Sequence, residues 1–140
     1  MGRIYRFDYS SGSAVQTNYF EIPTLTAGGD FANSFDVNQN FVVAGAPGKD
    51  GAFTNSGSVY VFENSTAGTL VQTLTAPNPA AEDQFGKNIH LLGNFLFVSQ
   101  ISSLSGNAGS VYVYQFNGTS YTYIQQITTP GTPYFGSKIS

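Results

Sequence analysis

The 140-residue sequence contains no cysteine and no tryptophan, and only 9% of its residues are charged. Without cysteine, neither a disulfide framework nor a thiolate metal site can form. The five basic residues are scattered along the chain, whereas nucleic acids and anionic membrane surfaces are bound through clustered cations. The composition therefore argues against both as partners, and solubility must come from uncharged polar residues.

The sequence also lacks an apolar run of about 20 residues, the length that crosses a bilayer as a helix. It opens on Met1 and passes directly into a strand pattern, without a signal peptide. We therefore expect no transmembrane segment and, if the protein is secreted, the mature form or a piece of it. The few charges, the 15% aromatic content and the sequons at Asn64 and Asn117 favour an extracellular or cell-surface location, with glycosylation at both asparagines.

Two sequence landmarks occur three times each, with a common period of roughly 50 residues. The first is a glycine followed by a short run that ends in an aromatic residue, and it spans Gly2–Phe7, Gly57–Phe62 and Gly109–Tyr114. The second is centred on a phenylalanine and spans Asp30–Ala32, Gln84–Gly86 and Tyr134–Gly136. Internal repeats of this length are typical of propellers and solenoids.

Short apolar runs separated by Gly, Asn, Ser, Thr and Pro predict an all-β protein. In the run Ser58–Phe62, the valines point to one side of the strand and the aromatic residues to the other, so both sides are apolar. A two-sheet sandwich usually leaves one face of each sheet polar, whereas stacked propeller blades cover both. We therefore predict a partial β-propeller of four-stranded antiparallel blades.

The landmarks divide the chain into four parts. Residues 1–30 are predicted to form a partial first blade, 31–84 and 85–134 two full blades, and 135–140 the first strand of a further blade. The predicted strands of the full blades cover residues 31–37, 41–44, 58–63 and 69–74, and then 85–91, 94–99, 110–115 and 121–127. A partial propeller exposes two apolar blade faces. We therefore expect other copies or neighbouring chains to cover them, in a fragment or subunit of a larger assembly.

Several of these motifs together resemble the FG-GAP repeats, which form the blades of integrin α-chain propellers and of many bacterial and protist surface proteins. The segments that carry the resemblance are Asp83–Gly86, Gly93–Val98, Val43–Pro47 and Gly57–Phe62. Two departures from the family pattern occur, at Phe31-Ala32 and at Ser99–Ile101, where the family has Phe-Gly and Gly-Ala-Pro. The resemblance implies propeller blades in an extracellular, adhesive protein.

One turn carries oxygen-bearing side chains at alternate positions, Asp36, Asn38 and Asn40. This spacing resembles the start of a calcium loop, and the resemblance implies calcium in such turns of some blades. However, Phe41 and Ala44 stand where a calcium loop has a glycine and a later acid. We therefore predict an Asx-rich hairpin turn without metal or cofactor, and keep calcium binding as the alternative.

The residues that could support catalysis are few. A single histidine, His90, excludes a multi-histidine zinc site, and no Gly-x-Ser-x-Gly motif accompanies it. We expect a structural or inter-blade role for His90. Glu82 and Asp83 are neighbours that would diverge, and Asp30 lies one repeat away from Asp83, so none forms an obvious glycosidase pair. We therefore predict that the protein is not an enzyme.

The loops between strands are the predicted partner-binding surface. They are Gly48–Ser56, with candidate residues Lys49, Asp50, Phe53 and Asn55, and Ile101–Ala108. An aromatic side chain such as Phe53 in a glycine-rich loop could stack on a sugar or seat a protein partner. The sequence thus predicts a non-enzymatic extracellular module that presents loops to a protein or glycan. A lectin-like propeller and a catalytic propeller of polysaccharide lyase or hydrolase type remain as alternatives.

Overall fold

The computed structural model describes residues 2–22, 28–102, 104 and 108–140. This part of the chain contains no helix and ten β-strands. The strands are β1 (Ile4–Asp8), β2 (Val15–Phe20), β3 (Phe35–Val37), β4 (Phe41–Ala46), β5 (Ser58–Glu63), β6 (Leu70–Leu74), β7 (Ile89–Leu92), β8 (Phe95–Gln100), β9 (Ala108–Phe116) and β10 (Tyr121–Pro133). The prediction of an all-β protein is confirmed.

The strands form three antiparallel sheets in which each strand pairs with the next in sequence. We call them the N-terminal hairpin (β1–β2), the central blade (β3–β6) and the C-terminal blade (β7–β10). The two blades are four-stranded, in the orders β3-β4-β5-β6 and β7-β8-β9-β10. Four-stranded antiparallel meanders of this kind are the predicted building blocks.

The first strand of each blade begins later than the sequence indicates. We predicted starts at Phe31 and Phe85, and the strands begin at Phe35 and Ile89. The prediction was wrong here because the residues on both sides of each phenylalanine have positive φ angles, which break an extended backbone. These residues are Asp30 (φ 51°), Ala32 (φ 62°), Gln84 (φ 54°) and Gly86 (φ 90°).

The central blade is covered on both faces, as the alternation in β5 indicates. Val59 and Val61 belong to a buried cluster that includes Phe85, Leu96 and Tyr112 of the C-terminal half. On the opposite face, the aromatic residues of β5 belong to a second buried cluster, which the hairpin helps to form. The members from β5 and the hairpin are Tyr60, Phe62, Ile4 and Phe20. The core therefore consists of two apolar layers that lie between successive sheets.

The two sequence landmarks meet in space at each sheet. Gly57 forms a parallel bridge with Phe85, and a Cβ atom on Gly57 would collide with the Phe85 backbone. In the same way, a Cβ atom on Gly2 would collide with the backbone of Phe31, and one on Gly109 with the backbone of Phe135. The glycine thus permits the leading segment of the next repeat to lie directly against the third strand.

The last residues contain turns but no strand. Residues 135–140 were predicted to form the first strand of a further blade, and the backbone after Tyr134 instead makes a turn, closed by a hydrogen bond from Ser137 N to Tyr134 O (3.0 Å). A β-strand needs a paired neighbour for its backbone groups, and the described residues offer none here. The division into blades at the stated boundaries stays a prediction.

Candidate functional site

The loop Gly48–Ser56 is closed by its own hydrogen bonds. The Gly57 N–H donates to Lys49 O at 3.0 Å across the base of the loop. Nearer the tip, Gly51 N and Ser56 N both donate to Phe53 O, at 3.2 and 3.3 Å. The carboxylate of Asp50 accepts the backbone N–H of Asn55 at 2.9 Å. The loop is therefore a defined structure and not only a connection.

The same loop is also fastened to the segment that leads into the C-terminal blade. Glu82 N donates to Thr54 O at 2.9 Å, and Gln84 N donates to Asn55 O at 3.0 Å. The Asn55 side chain donates to Glu82 Oε1 at 2.9 Å. Asn55 and Glu82 both have positive φ, 48° and 64°. These bonds fix the loop relative to the segment that joins the two blades.

The predicted loop residues do not all face solvent. Phe53 is 50% exposed, although it is a large apolar side chain, and Asp50 is also exposed. Lys49 and Asn55 are half-buried; the Lys49 ammonium donates to Asp50 O, and Asn55 binds Glu82. Phe53 is thus the large apolar side chain that this loop exposes.

The second predicted loop, Ile101–Ala108, lies only partly within the described residues. Ser103 and Ser105–Asn107 fall outside them. Leu104, which lies between them, is 53% exposed, so this loop also places an apolar side chain in solvent.

The turn considered for calcium is used for other contacts. One carboxylate oxygen of Asp36 accepts the following backbone N–H, and the other accepts Leu91 N, each at 2.8 Å. The side-chain oxygen of Asn38 accepts Asn40 N at 2.9 Å and Phe41 N at 2.8 Å. Both carboxylate oxygens of Asp36 and the side-chain oxygen of Asn38 are therefore hydrogen-bond acceptors in this turn, and the absence of a metal there stays a prediction. No group of three or more His, Asp or Glu residues is placed to hold a metal ion in the described part of the chain.

His90 lies beside Asp36 of the central blade. Its Nδ1 is 3.3 Å from Asp36 Oδ2, and both side chains are about 30% exposed. Asp36 belongs to the first strand of the central blade and His90 to the first strand of the C-terminal blade. Sequence reasoning did not identify Asp36 as the partner, although the repeat places the two residues at equivalent positions.

The acids before the phenylalanine landmark lie in different surroundings. Asp83 is buried, with 6% of its surface exposed, and its carboxylate accepts Ala80 N at 2.7 Å. Burial raises the pKa of Asp83 above its usual range, and the bond from Ala80 opposes this shift only in part. Asp30 is exposed. The structure does not pair these carboxyls.

The two sequons differ in accessibility. Asn64 is half-buried, and its side-chain N–H donates to Asn38 O at 2.8 Å. Asn117 is exposed at the β9–β10 turn, where its side-chain oxygen accepts Thr119 N and Ser120 N, each at 3.0 Å. The amide nitrogen of Asn117 is not used in these bonds.

The stacked four-stranded antiparallel sheets, joined through apolar layers, are those of a β-propeller-like protein. A family model described as FG-GAP repeat matches residues 69–114, roughly a third of the chain. The match confirms the resemblance drawn from the sequence. It begins just before β6 and ends within β9, so it spans the junction between the two blades. No curated protein and no solved structure matches the chain.

Proposed function

We propose that this chain is a non-enzymatic, extracellular or cell-surface β-propeller module of adhesive type, which works as part of a larger assembly. The FG-GAP repeat at residues 69–114 supports this proposal, because such repeats typically occur in extracellular proteins. The described residues include no helix that is long and apolar enough to span a bilayer. The partner would be a protein or a glycan.

The observation that carries the proposal is the fastened loop Gly48–Ser56. It is closed at its base by the bond from Gly57 N to Lys49 O, and Thr54 and Asn55 tie it to the segment that leads into the C-terminal blade, yet it leaves Phe53 half exposed. A preorganised loop loses little conformational entropy on binding. An exposed aromatic side chain at its tip supplies contact area with few rotatable bonds. This combination suits recognition more than chain connection.

A lectin-like role is supported by the same loop, because an exposed ring flanked by polar groups can stack on a sugar. The polar neighbours are Asp50, which is exposed, and Lys49 and Asn55, which are half-buried. The adhesive proposal and the lectin-like proposal differ in the partner and not in the surface.

The test is binding of the labelled protein to a glycan array and to a panel of immobilised extracellular-matrix proteins. We expect binding to one of the two, and at least a tenfold weaker interaction for Phe53→Ala. Tyr9→Ala is the matched control, since Tyr9 is 69% exposed and lies in the hairpin turn, outside the loop. No binding to either set, or equal loss in both variants, would count against this surface.

A further inference from the structure

A small cavity lies between the N-terminal hairpin and the central blade. Its volume is about 160 Å³, and Arg6 of β1 is among the residues that line it. The rest of the lining is mostly apolar and includes Ile4, Phe20, Phe35, Val37 and Val42. Apolar cavities of about 150 Å³ bind benzene. This cavity therefore has room for a single six-membered ring or a short alkyl chain.

Arg6 stands where the other two repeats have valine. The repeat aligns it with Val61 of the central blade and Val113 of the C-terminal blade, and both valines are buried. Arg6 points to the same side of β1 as Ile4, because side chains alternate along a strand, and Ile4 belongs to the apolar cluster between the hairpin and the central blade. Taking a charge out of water costs free energy unless the charge is paired. An arginine at this position therefore calls for an anionic partner.

The guanidinium of Arg6 has an unused donor. Its Nη1 is shielded from solvent and has no hydrogen-bond partner. The residue directly opposite on β2 is Asn18, whose Nδ2 is also shielded and without an acceptor. Shielded polar groups without a partner are rare and call for an explanation, such as an ion that binds there. The side of the hairpin that faces the central blade thus carries two neighbouring donors.

The acids in and next to the hairpin bind other groups. The carboxylate of Asp8 accepts the backbone N–H of Ser10 at 2.9 Å and its hydroxyl at 2.8 Å. Glu21, which directly follows β2, has its Oε2 2.6 Å from Arg3 Nε. Within the described ranges, no ion pair joins Arg6 to a carboxylate. The chain therefore leaves the charge of Arg6 to an anion from outside.

We infer that this cavity binds a small carboxylate with an apolar body, such as an aromatic carboxylate or a short-chain fatty acid. The apolar body occupies the cavity, and the carboxylate accepts hydrogen bonds from Arg6, whose planar guanidinium matches the two oxygens of a carboxylate. The inference stands apart from the adhesive proposal, because the cavity shares no residue with the loop Gly48–Ser56.

A polypeptide segment is the other occupant that the apolar lining admits. Phe35 and Val37 are 54% and 52% exposed, although both are large apolar residues. However, an apolar segment on this surface would bury the guanidinium of Arg6 without a counterion, which is unfavourable. Val61, the equivalent of Arg6, suits such packing, and it lies in the apolar cluster shared with the C-terminal blade. The arginine therefore favours the carboxylate.

The test is a titration of the 140-residue protein with sodium benzoate, followed through the methyl NMR signals of Ile4, Val37 and Val42. Benzyl alcohol, which has the same ring and no charge, is the matched probe. We expect benzoate to shift these signals and to bind about tenfold more tightly than benzyl alcohol, because hydrogen bonds between charged groups are the stronger ones. Equal affinity for the two probes, or no shift of these signals, would overturn the inference.

The variant that isolates the cation is Arg6→Val, which introduces the residue that the other repeats have. We expect it to lose the preference for benzoate without a fall in its urea midpoint, since an apolar side chain is tolerated in place of a buried charge. Arg3→Gln removes the same charge from a residue of the hairpin region that does not line the cavity, and it should leave the benzoate affinity unchanged. An equal loss of benzoate affinity in both variants would reveal only a general attraction of anions, and the inference would fail.

Val37→Trp tests the cavity separately from the charge. Val37 is half exposed and lines the cavity, so a larger side chain there should fill the space and keep Arg6 in place. We expect both probes to bind about tenfold more weakly to this variant. Unaltered benzoate binding would contradict the inference. So would a dimer of the parent protein, seen by light scattering, that Val37→Trp dissociates and Arg6→Val does not, because a second copy would then be the occupant.

Discussion

At the scale of single residues, the glycine that precedes the third strand is the position on which the stacking of sheets depends most directly. At Gly57, an added Cβ atom would lie 2.5 Å from Phe85 N and would also collide with the Phe85 carbonyl. The backbones of two successive repeats thus touch where a side chain would otherwise stand. Gly2 and Gly109 have the same surroundings, so the requirement belongs to the repeat and not to one site.

We predict that Gly57→Ala is much more destabilising than Gly12→Ala. The two glycines have nearly the same backbone angle, φ 82° and 80°, but Gly12 has open space around it. Backbone strain should cost about 1–2 kcal/mol in both variants, and the collision with Phe85 should add about 1–3 kcal/mol in Gly57→Ala alone. Urea denaturation of both variants measures the difference. Equal losses would mean that the backbone angle, and not the close approach, explains the glycine.

Asp83 should make the stability of the protein depend on pH. Because burial raises the pKa of this carboxyl, its protonated form is favoured by folding. Its contribution is therefore fully present at pH values below the ordinary aspartate pKa and is lost as the pH rises through the raised pKa. We predict that Asp83→Asn, which keeps an oxygen for Ala80 N, gains stability over the parent as the pH rises towards neutral. Denaturation curves at a series of pH values would contradict this if the difference stayed constant.

Only one of the two sequons should carry a glycan. Asn117 is exposed with a free amide nitrogen, whereas the Asn64 amide donates to Asn38 O from a half-buried position. After expression in a glycosylating host, we expect Asn117→Gln to abolish the mass shift and Asn64→Gln to leave it unchanged. A glycopeptide containing Asn64 would contradict the assignment.

The left-handed residues show what the sequence could not reveal at this scale. Glycine at position 86 signals a positive φ, but Ala32, Gln84 and Tyr134 adopt one as well, with φ 62°, 54° and 61°. None of these three types favours that region. Only the repeat could have indicated it, because Ala32 corresponds to Gly86 and Gly136, and Gln84 and Tyr134 correspond to Asp30, which also has a positive φ. The late starts of β3 and β7 follow from this.

At the scale of elements, the alternation of β5 was sufficient to predict its packing. Valines on one side and aromatic residues on the other require apolar cover on both faces, and the two buried clusters provide it. The contacts between blades were not predictable in the same way. Gln72 lies in a strand whose neighbours Val71 and Thr73 are exposed, so nothing in its local pattern indicates that its amide holds Tyr121.

The two hydrogen bonds between the Gln72 amide and the Tyr121 backbone should contribute measurably to the unfolding free energy, because they join the two blades. Removing the amide leaves the buried backbone groups of Tyr121 without these two partners, and we expect Gln72→Ala to cost about 1–3 kcal/mol of unfolding free energy. Gln125→Ala is the control. Gln125 pairs with Val113 in the C-terminal blade as Gln72 pairs with Val61 in the central blade, but it is exposed. Its replacement should change the unfolding free energy by no more than about 0.5 kcal/mol. Comparable losses of unfolding free energy in both variants would show that the effect comes from strand propensity and not from the two hydrogen bonds to Tyr121.

At the scale of the whole molecule, the three sheets differ in how many of their faces are packed against a neighbouring sheet. The central blade has a sheet on each side, and every residue of β5 except Glu63 is buried. The N-terminal hairpin is covered on one side only. Its Tyr5 and Phe7 are 48% and 58% exposed, whereas Tyr60 and Phe62, their equivalents in the central blade, are 6% and 2% exposed.

This gradient predicts the order in which the sheets open. Local opening needs the least free energy where few apolar contacts are broken, and only Ile4 and Phe20 are buried in the hairpin strands. Amide hydrogen exchange should therefore be fastest in β1 and β2 and slowest in β4 and β5, with opening of the central blade approaching the global unfolding free energy. If the hairpin amides exchanged as slowly as those of β5, the three sheets would instead unfold as one cooperative unit. Apolar cover on a single face would then be enough to hold the hairpin on the core.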